Sequence, residues 1–463
     1  MLLLRLVITN YSLYRLSKAC TLSLLMCFVL TGVPALAQPA ADGIQVDQND
    51  AWVDFPRSVD FHLVAMADEP VESVQIEYGV RALTCGDVTT VATPDFESGT
   101  TLDITWRWEI VPGRVISPGA EIWWRWRLTT ASEEFVTPTQ TISFDDAWFV
   151  WESLADRQLE ARWYRGSRSL AQEMLDAGHA ALDQLAVDTG LYLDDPIVVY
   201  LYEESSDLRA SIPGAPAWAG GIAFPEYSTV LVVANESYAD YGRLTVRHEL
   251  GHLVIQRFTF NCLTDLPVWL DEGLAMRAEG EENPDLMAEL EAAIADDRLL
   301  TIHQIESAFS VYRDRAKLSY AESYSIVRFL IDTYGQEKML DLLTAFREGS
   351  TPDEAFTQVY GFDTYGLEDA WRDAIGAPAL APDERDLDTP TLIPTMALAV
   401  LPTASSTLVP TTEIEDVPVP TDPVVTDVDP SGSQPAVTWI VGAGGGFVLL
   451  VLLMVAVRRF RHG

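Results

Sequence analysis

The stretch Arg247-His248-Glu249-Leu250-Gly251-His252-Leu253-Val254 decides how the chain is read. It lies within Leu244–Phe258, where apolar residues recur at helical spacing. On a helix, His248 and His252 stand one turn apart on the same face, so two imidazoles can ligate one metal ion. Glu249 sits beside the first of them, placed to take a proton from water at the metal. The chain holds only six His in 463 residues. With Glu at roughly 7%, chance would supply on the order of 0.005 such H-E-x-x-H matches. Two ordinary surface histidines therefore explain the pattern poorly.

A catalytic metal site of this kind needs a third protein ligand and an open fourth position. Downstream, Leu266-Pro267-Val268-Trp269-Leu270-Asp271-Glu272-Gly273-Leu274-Ala275 places an acid at an otherwise apolar helix start. Glu272 follows His252 after 19 residues, enough for a loop and a second helix returning to the metal. By itself Glu272 reads as an N-terminal charge favoured by the helix dipole; beside the motif it becomes the expected third ligand. Glu279, two turns further on, either accepts the far N–H of a ligating His or is a solvated surface acid.

H-E-L-G-H followed by P-x-W-L-x-E-G-x-A resembles the gluzincin metallopeptidases, and most of all the bacterial peptidase MA-like domain. The likeness runs over roughly Trp148–Pro378 and includes Trp218-Ala219-Gly220-Gly221, the Thr229–Ala234 strand and the Tyr320–Gly335 helix. It implies Zn²⁺ and peptide hydrolysis, with His248, His252 and Glu272 as ligands and Glu249 as general base. The membrane alanyl aminopeptidases share W-L-x-E-G, but their G-x-M-E-N segment has no match here. The thermolysin-type acid four residues after the third ligand is also absent, since position 276 is Met. The resemblance further implies an edge strand ahead of the metal helix that pairs with substrate, with Thr229–Ala234 as candidate against a plain core strand. Tyr320 matches the tyrosine that opens the corresponding aminopeptidase helix, which implies an oxyanion role. Tyr324, in line with Val327 and Ile331, reads as core.

Around this centre the 463 residues suggest about three folded units at ~150 residues each. Hydrophobic residues at 48% with 13 Trp exclude a chain disordered throughout. Ser58–Val64, Val74–Tyr78, Thr105–Ile110 and Ile122–Leu128 alternate with period two, which predicts an antiparallel β-sandwich over residues 38–146. Its Trp-rich strands read as core and cross-strand pairing, against the alternative of an exposed stripe that binds carbohydrate. From 147 to 378 the period becomes helical. Leu170–Ala186, Pro284–Ile294, Ser319–Tyr334, Gly335–Phe346 and Leu367–Ile375 are expected helices, and Ile197–Tyr202 and Thr229–Ala234 expected strands. The expected fold class is α+β: a thermolysin- or gluzincin-like domain preceded by an all-β sandwich and followed by a C-terminal transmembrane helix.

The ends point to a membrane. Residues 1–37 carry Arg5, Arg15 and Lys18, the apolar run Leu22–Leu30 and then Ala35-Leu36-Ala37, the order of a cleaved secretory signal. Cleavage removes Cys20 and Cys27; Cys85 and Cys262 remain, and the sequence leaves their pairing open. Residues 379–436, rich in Pro, Thr, Ser, Val and Asp, read as an extended stalk. Residues 437–457 are uncharged and mostly apolar, long enough to span a bilayer. The tail 458–463, with Arg458, Arg459 and Arg461, is then expected in the cytoplasm and the bulk of the chain outside the cell. Gly442 and Gly444–Gly446 do not settle an oligomeric state, because glycine is common in spanning helices. Less the six basic residues at the two ends, the 30 Lys and Arg leave 24 against 69 acidic groups. Such a surface excludes nucleic acid as a partner. The expected partners are a peptide or protein substrate and the bilayer. Two functions compete: an active zinc endopeptidase, and an inactive cell-surface binding or adhesion module retaining a metal site. Glu249 favours the first, because a module without turnover has no need of it.

Overall fold

In the computed structural model, residues 43–380 are described except 87, 112–114, 214–219, 281 and 311. The expected signal peptide, span and tail lie outside the described residues, as does the stalk beyond Leu380. No helix among the described residues is long and apolar enough to cross a membrane.

Alternation builds the first part as expected. Seven strands, all paired antiparallel, are β1 (Ile44–Asp54), β2 (Ser58–Val80), β3 (Thr90–Ala92), β4 (Gly99–Glu109), β5 (Ala120–Thr130), β6 (Glu134–Val136) and β7 (Gln140–Phe144). The two alternating runs read from sequence are halves of one long strand. Residues 58–66 of β2 pair with β1 and β4, and residues 71–80 pair with β5 and β3. Pairing shifts register between Met66 and Val71, where Asp68, Glu69 and Pro70 are exposed. Beyond that break the inward residues of one half face those of the other: Phe61 lies 5.5 Å from both Tyr78 and Trp124, ring centre to ring centre. The result is a sandwich-like core holding Trp108, Trp124 and Trp126. The Trp stripe is therefore core, as pairing on a pleated face requires.

The second part is mixed α and β. Strands β8 (Glu152–Asp156), β9 (Leu159–Trp163), β10 (Ile197–Tyr202), β11 (Gly221–Phe224) and β12 (Thr229–Val233) form a sheet in the order β11-β12-β10-β9-β8. The middle three run parallel, and each outer strand is antiparallel to its neighbour. The helices are α1 (Arg168–Thr189), α2 (Ser205–Ser211), α3 (Ala239–Thr259), α4 (Val268–Glu279), α5 (Pro284–Ala295), α6 (Arg313–Arg347), α7 (Pro352–Tyr360) and α8 (Thr364–Ile375). Gly335 breaks α6 with φ 84° and ψ 171°, at the boundary between the two helices read from sequence. One sheet face (Ala161, Trp163, Val199, Leu201, Val230, Val232) is buried under α1 and α3. The other presents Tyr200, Tyr202, Phe224 and Leu231 to α2 and to Val115, Phe149 and Trp151.

That second face joins the two parts. Tyr202 donates its hydroxyl to Asp146 Oδ2 at 3.0 Å, and Leu83 N–H donates to Glu226 O at 3.0 Å. Cys85 and Cys262 form a disulfide across 177 residues, settling the pairing that sequence left open.

Candidate metal centre

Helix α3 brings His248, Glu249 and His252 into the interior, all three buried. Helix α4 crosses it closely because position 251 is glycine: a Cβ there would lie 2.7 Å from the Ala275 Cα. This crossing carries Glu272 to the histidines. His248 Nε2 and His252 Nε2 stand 2.9 Å apart, and Glu272 Oε2 lies 3.5 Å from the first and 3.7 Å from the second. Two ring nitrogens face one another so closely only when a proton or another cation lies between them.

Each histidine is oriented from its far nitrogen. His248 Nδ1 donates to Glu279 Oε1 at 2.7 Å, and His252 Nδ1 to Asp271 Oδ2 at 2.9 Å, where Gln256 also donates at 2.7 Å. Both tautomers are thereby fixed with Nε2 turned inward. Burial pushes the His248 pKa down to about 4, which keeps its ring a neutral donor. Burial lowers that of His252 too, but the charge and hydrogen bond of Asp271 outweigh it and lift the pKa to about 9.

Glu249 lies at the edge of the sheet. The Ala223 N–H of β11 bonds its carboxylate, and Oε2 is buried without a hydrogen-bond partner. Strand β11 fits there because it opens on glycine: a Cβ at Gly221 would meet Glu249 Cγ at 2.7 Å and Thr245 Cγ2 at 2.6 Å. Burial lifts the Glu249 pKa to about 7, in the range where a carboxylate can both accept and return a proton near neutrality.

A metal ion fits these residues. Glu272 Oε2 is buried with no well-formed hydrogen bond, and Glu249, Asp271, Glu272 and Glu279 crowd four buried carboxyl groups around two imidazoles. Burying that much negative charge is unfavourable without a compensating cation. Two imidazole nitrogens and one carboxylate oxygen, within 4.8 Å of one another, are the donor set of a catalytic zinc site.

Comparison with known sequences agrees with this geometry. Residues 177–377 match the sequence model of the Peptidase MA superfamily. This segment is a peptidase MA-like domain of the gluzincin kind. No curated protein matches the chain. Among solved structures, the M1 zinc metallopeptidase from Deinococcus radiodurans is 13% identical over 72% of this chain and 94% of that one, with a TM-score of 0.33. A two-domain M1 zinc metallopeptidase variant bound to L-arginine is 13% identical over 73% and 96%, with a TM-score of 0.35. A Br derivative of BhCBM56 is 10% identical over 22% and 95%, at 0.16. Likenesses that slight carry no further weight.

Within the peptidase MA-like domain, His248, His252 and Glu272 converge as expected, and Glu279 takes the far N–H of His248 instead of facing solvent. Asp271 is the residue that sequence reasoning passed over. The signal was present, since two histidines expected to bind a metal need two acceptors and only Glu279 had been considered. The expected edge strand is corrected: Thr229–Val233 lies inside the sheet between β11 and β10, and β11 is the edge beside Glu249. Trp218 and Ala219 lie outside the described residues. Tyr320 and Tyr324 are both buried, in one small apolar cluster with Met276. Tyr320 meets Phe309 edge-on at 5.0 Å, whereas the Tyr324 hydroxyl is bonded to Arg277, itself paired with buried Asp188 at 3.0 Å.

Proposed function

We propose that the chain is a zinc endopeptidase held at the outer face of the cell membrane by a single C-terminal helix. The observation that carries the enzymatic part is the buried convergence of His248, His252 and Glu272 beside a carboxylate, Glu249, with one oxygen free of partners. Zinc, when bound, would polarise the scissile carbonyl and make water acidic enough to lose a proton near neutral pH. The chain's residues do the rest. Glu279 and Asp271 keep both imidazoles turned inward. Glu249 takes a proton at Oε2 and returns it to the leaving amine. Tyr320 donates its phenol to the developing oxyanion. Cleavage within chains, not from their ends, is supported by the missing G-x-M-E-N segment, which leaves no counterpart for amino-terminus capture. The surface location is supported by the order of signal, stalk, apolar span and Arg-rich tail in the sequence.

The test incubates residues 38–434 with a diverse peptide library and maps the cuts with and without chelator. Internal cleavages that chelator abolishes are expected, with one zinc per chain by metal analysis. Glu249→Gln should keep the zinc and the fold yet lose hydrolysis, because an amide cannot take the proton. Zinc near zero under replete conditions, or a Glu249→Gln variant that cleaves like the parent, would sink the reading.

A further inference from the structure

Arg247 and His248 are neighbours on α3, about 100° apart around a helix of 3.6 residues per turn. Both end at the last turn of α4. His248 reaches Glu279 through Nδ1. Arg247 donates Nε–H to Ala278 O at 2.9 Å. The carbonyls at a helix C-terminus carry partial negative charge and favour a cation there. Position 280 makes room for it: Gly280 closes α4 in the left-handed conformation, φ 81°, and a Cβ at that residue would overlap the Arg247 guanidinium. Among the charges acting on the buried Glu279 carboxylate, that of Arg247 is the largest that favours it.

We propose that Arg247 is a positioning residue for the metal centre, clamping the end of α4 so that Glu279 stays aimed at His248 Nδ1. The proposal rests on the zinc reading above. In it, α3 supplies a ligand and, from the adjacent residue, the brace for that ligand's own partner. A guanidinium suits the task, because it has the reach to cap a neighbouring helix and a fixed Nε–H to do it with. The chain of contact runs Arg247, last turn of α4, Glu279, His248, with Arg247 touching neither metal nor substrate.

The test is a double-mutant cycle on zinc affinity, measured on the full chain by competition with a chromogenic chelator at one pH. Arg247→Met keeps an unbranched apolar stem and removes the charge and the donor. It should weaken zinc about tenfold, in the range found when a partner of a metal-binding histidine is lost. Glu279→Gln should weaken it comparably, and adding Arg247→Met to Glu279→Gln should cost little more. A merely structural role predicts the opposite pattern: a lower melting temperature without zinc together with unchanged zinc affinity, or losses that multiply fully in the double variant. Either outcome overturns the proposal. Should Arg247→Met fail to fold, Arg247→Lys, which keeps the charge without the Nε donor, runs the same cycle with a smaller expected loss. Because zinc affinity in the parent is read separately from hydrolysis, failure of the peptidase reading and failure of this one are told apart.

Discussion

Tyr320 and Tyr324 stand one turn apart on α6. The Tyr324 hydroxyl is tied to Arg277, which is in turn held by Asp188, so its phenol is engaged in bracing α4. Tyr320 lies in the same cluster against Met276 and Phe309, and it is the residue assigned to the oxyanion. Loss of one such donor typically costs ~10²–10³ in turnover. Tyr320→Phe should therefore depress kcat by that order with the melting temperature nearly unchanged. Tyr324→Phe should instead lose about 1 kcal/mol of stability, the usual worth of one hydrogen bond, and keep its turnover. Normal turnover in the first and failure in the second would exchange the roles. At this scale the sequence was most legible where the chemistry is most restrictive. Two histidines at i and i+4 with an intervening Glu admit few readings, and His248, Glu249, His252 and Glu272 do lie buried together. Asp271 was not legible, because it stands next to a stronger candidate and its role depends on which way a ring nitrogen points.

Between α3 and α4 the contact is set by what is missing. Gly251 reads as an arbitrary x in H-E-x-x-H until α4 is in place, and then the Ala275 Cα lies where a side chain would go. Gly273 does the same on the other side of α4, where a Cβ would come within 2.5 Å of Ser323 O and Val327 Cγ2 of α6. Backbone cannot step aside as a flexible side chain can, so Gly251→Ala should push α4 and Glu272 outward. The expected cost is about 1–3 kcal/mol of overpacking, seen as a lower melting temperature together with weaker zinc binding. An unshifted melt and unchanged zinc affinity would show that the helices have slack to give. Helices with strong periodicity, such as α1 and both halves of α6, were legible because burial writes itself into every third or fourth residue. Edge position was not. Thr229–Val233 and Gly221–Phe224 are both short, and only long-range pairing decides which of them is flanked on both sides. The same blindness split β2 in two: its alternation fails at Asp68-Glu69-Pro70, where one strand crosses between the faces of the sandwich.

Taken together, the described residues form a two-part body with the buried centre in its second part, and the two parts are tied at places unrelated to the chemistry. The Cys85–Cys262 bond ends on the loop between α3 and α4, the connection between the two helices that carry the His-His-Glu group. That loop nevertheless has its own scaffold. Asn261 Nδ2 donates to Thr264 O at 3.0 Å and to Phe346 O at 2.9 Å, while Oδ1 accepts from the N–H groups of Leu263 and Thr264. The disulfide is therefore a tether between the sandwich and the peptidase MA-like domain, and the metal centre should not depend on it. Closing a loop that spans 177 residues restricts the unfolded chain by about 5 kcal/mol on the loop-entropy account. The Cys85→Ser, Cys262→Ser double variant should melt at a markedly lower temperature, while its zinc affinity and peptide turnover, measured well below that melt, stay at the parent's values. If zinc affinity falls together with the melt, the bracing by Asn261 is insufficient, and the sandwich reaches the metal centre through this bond.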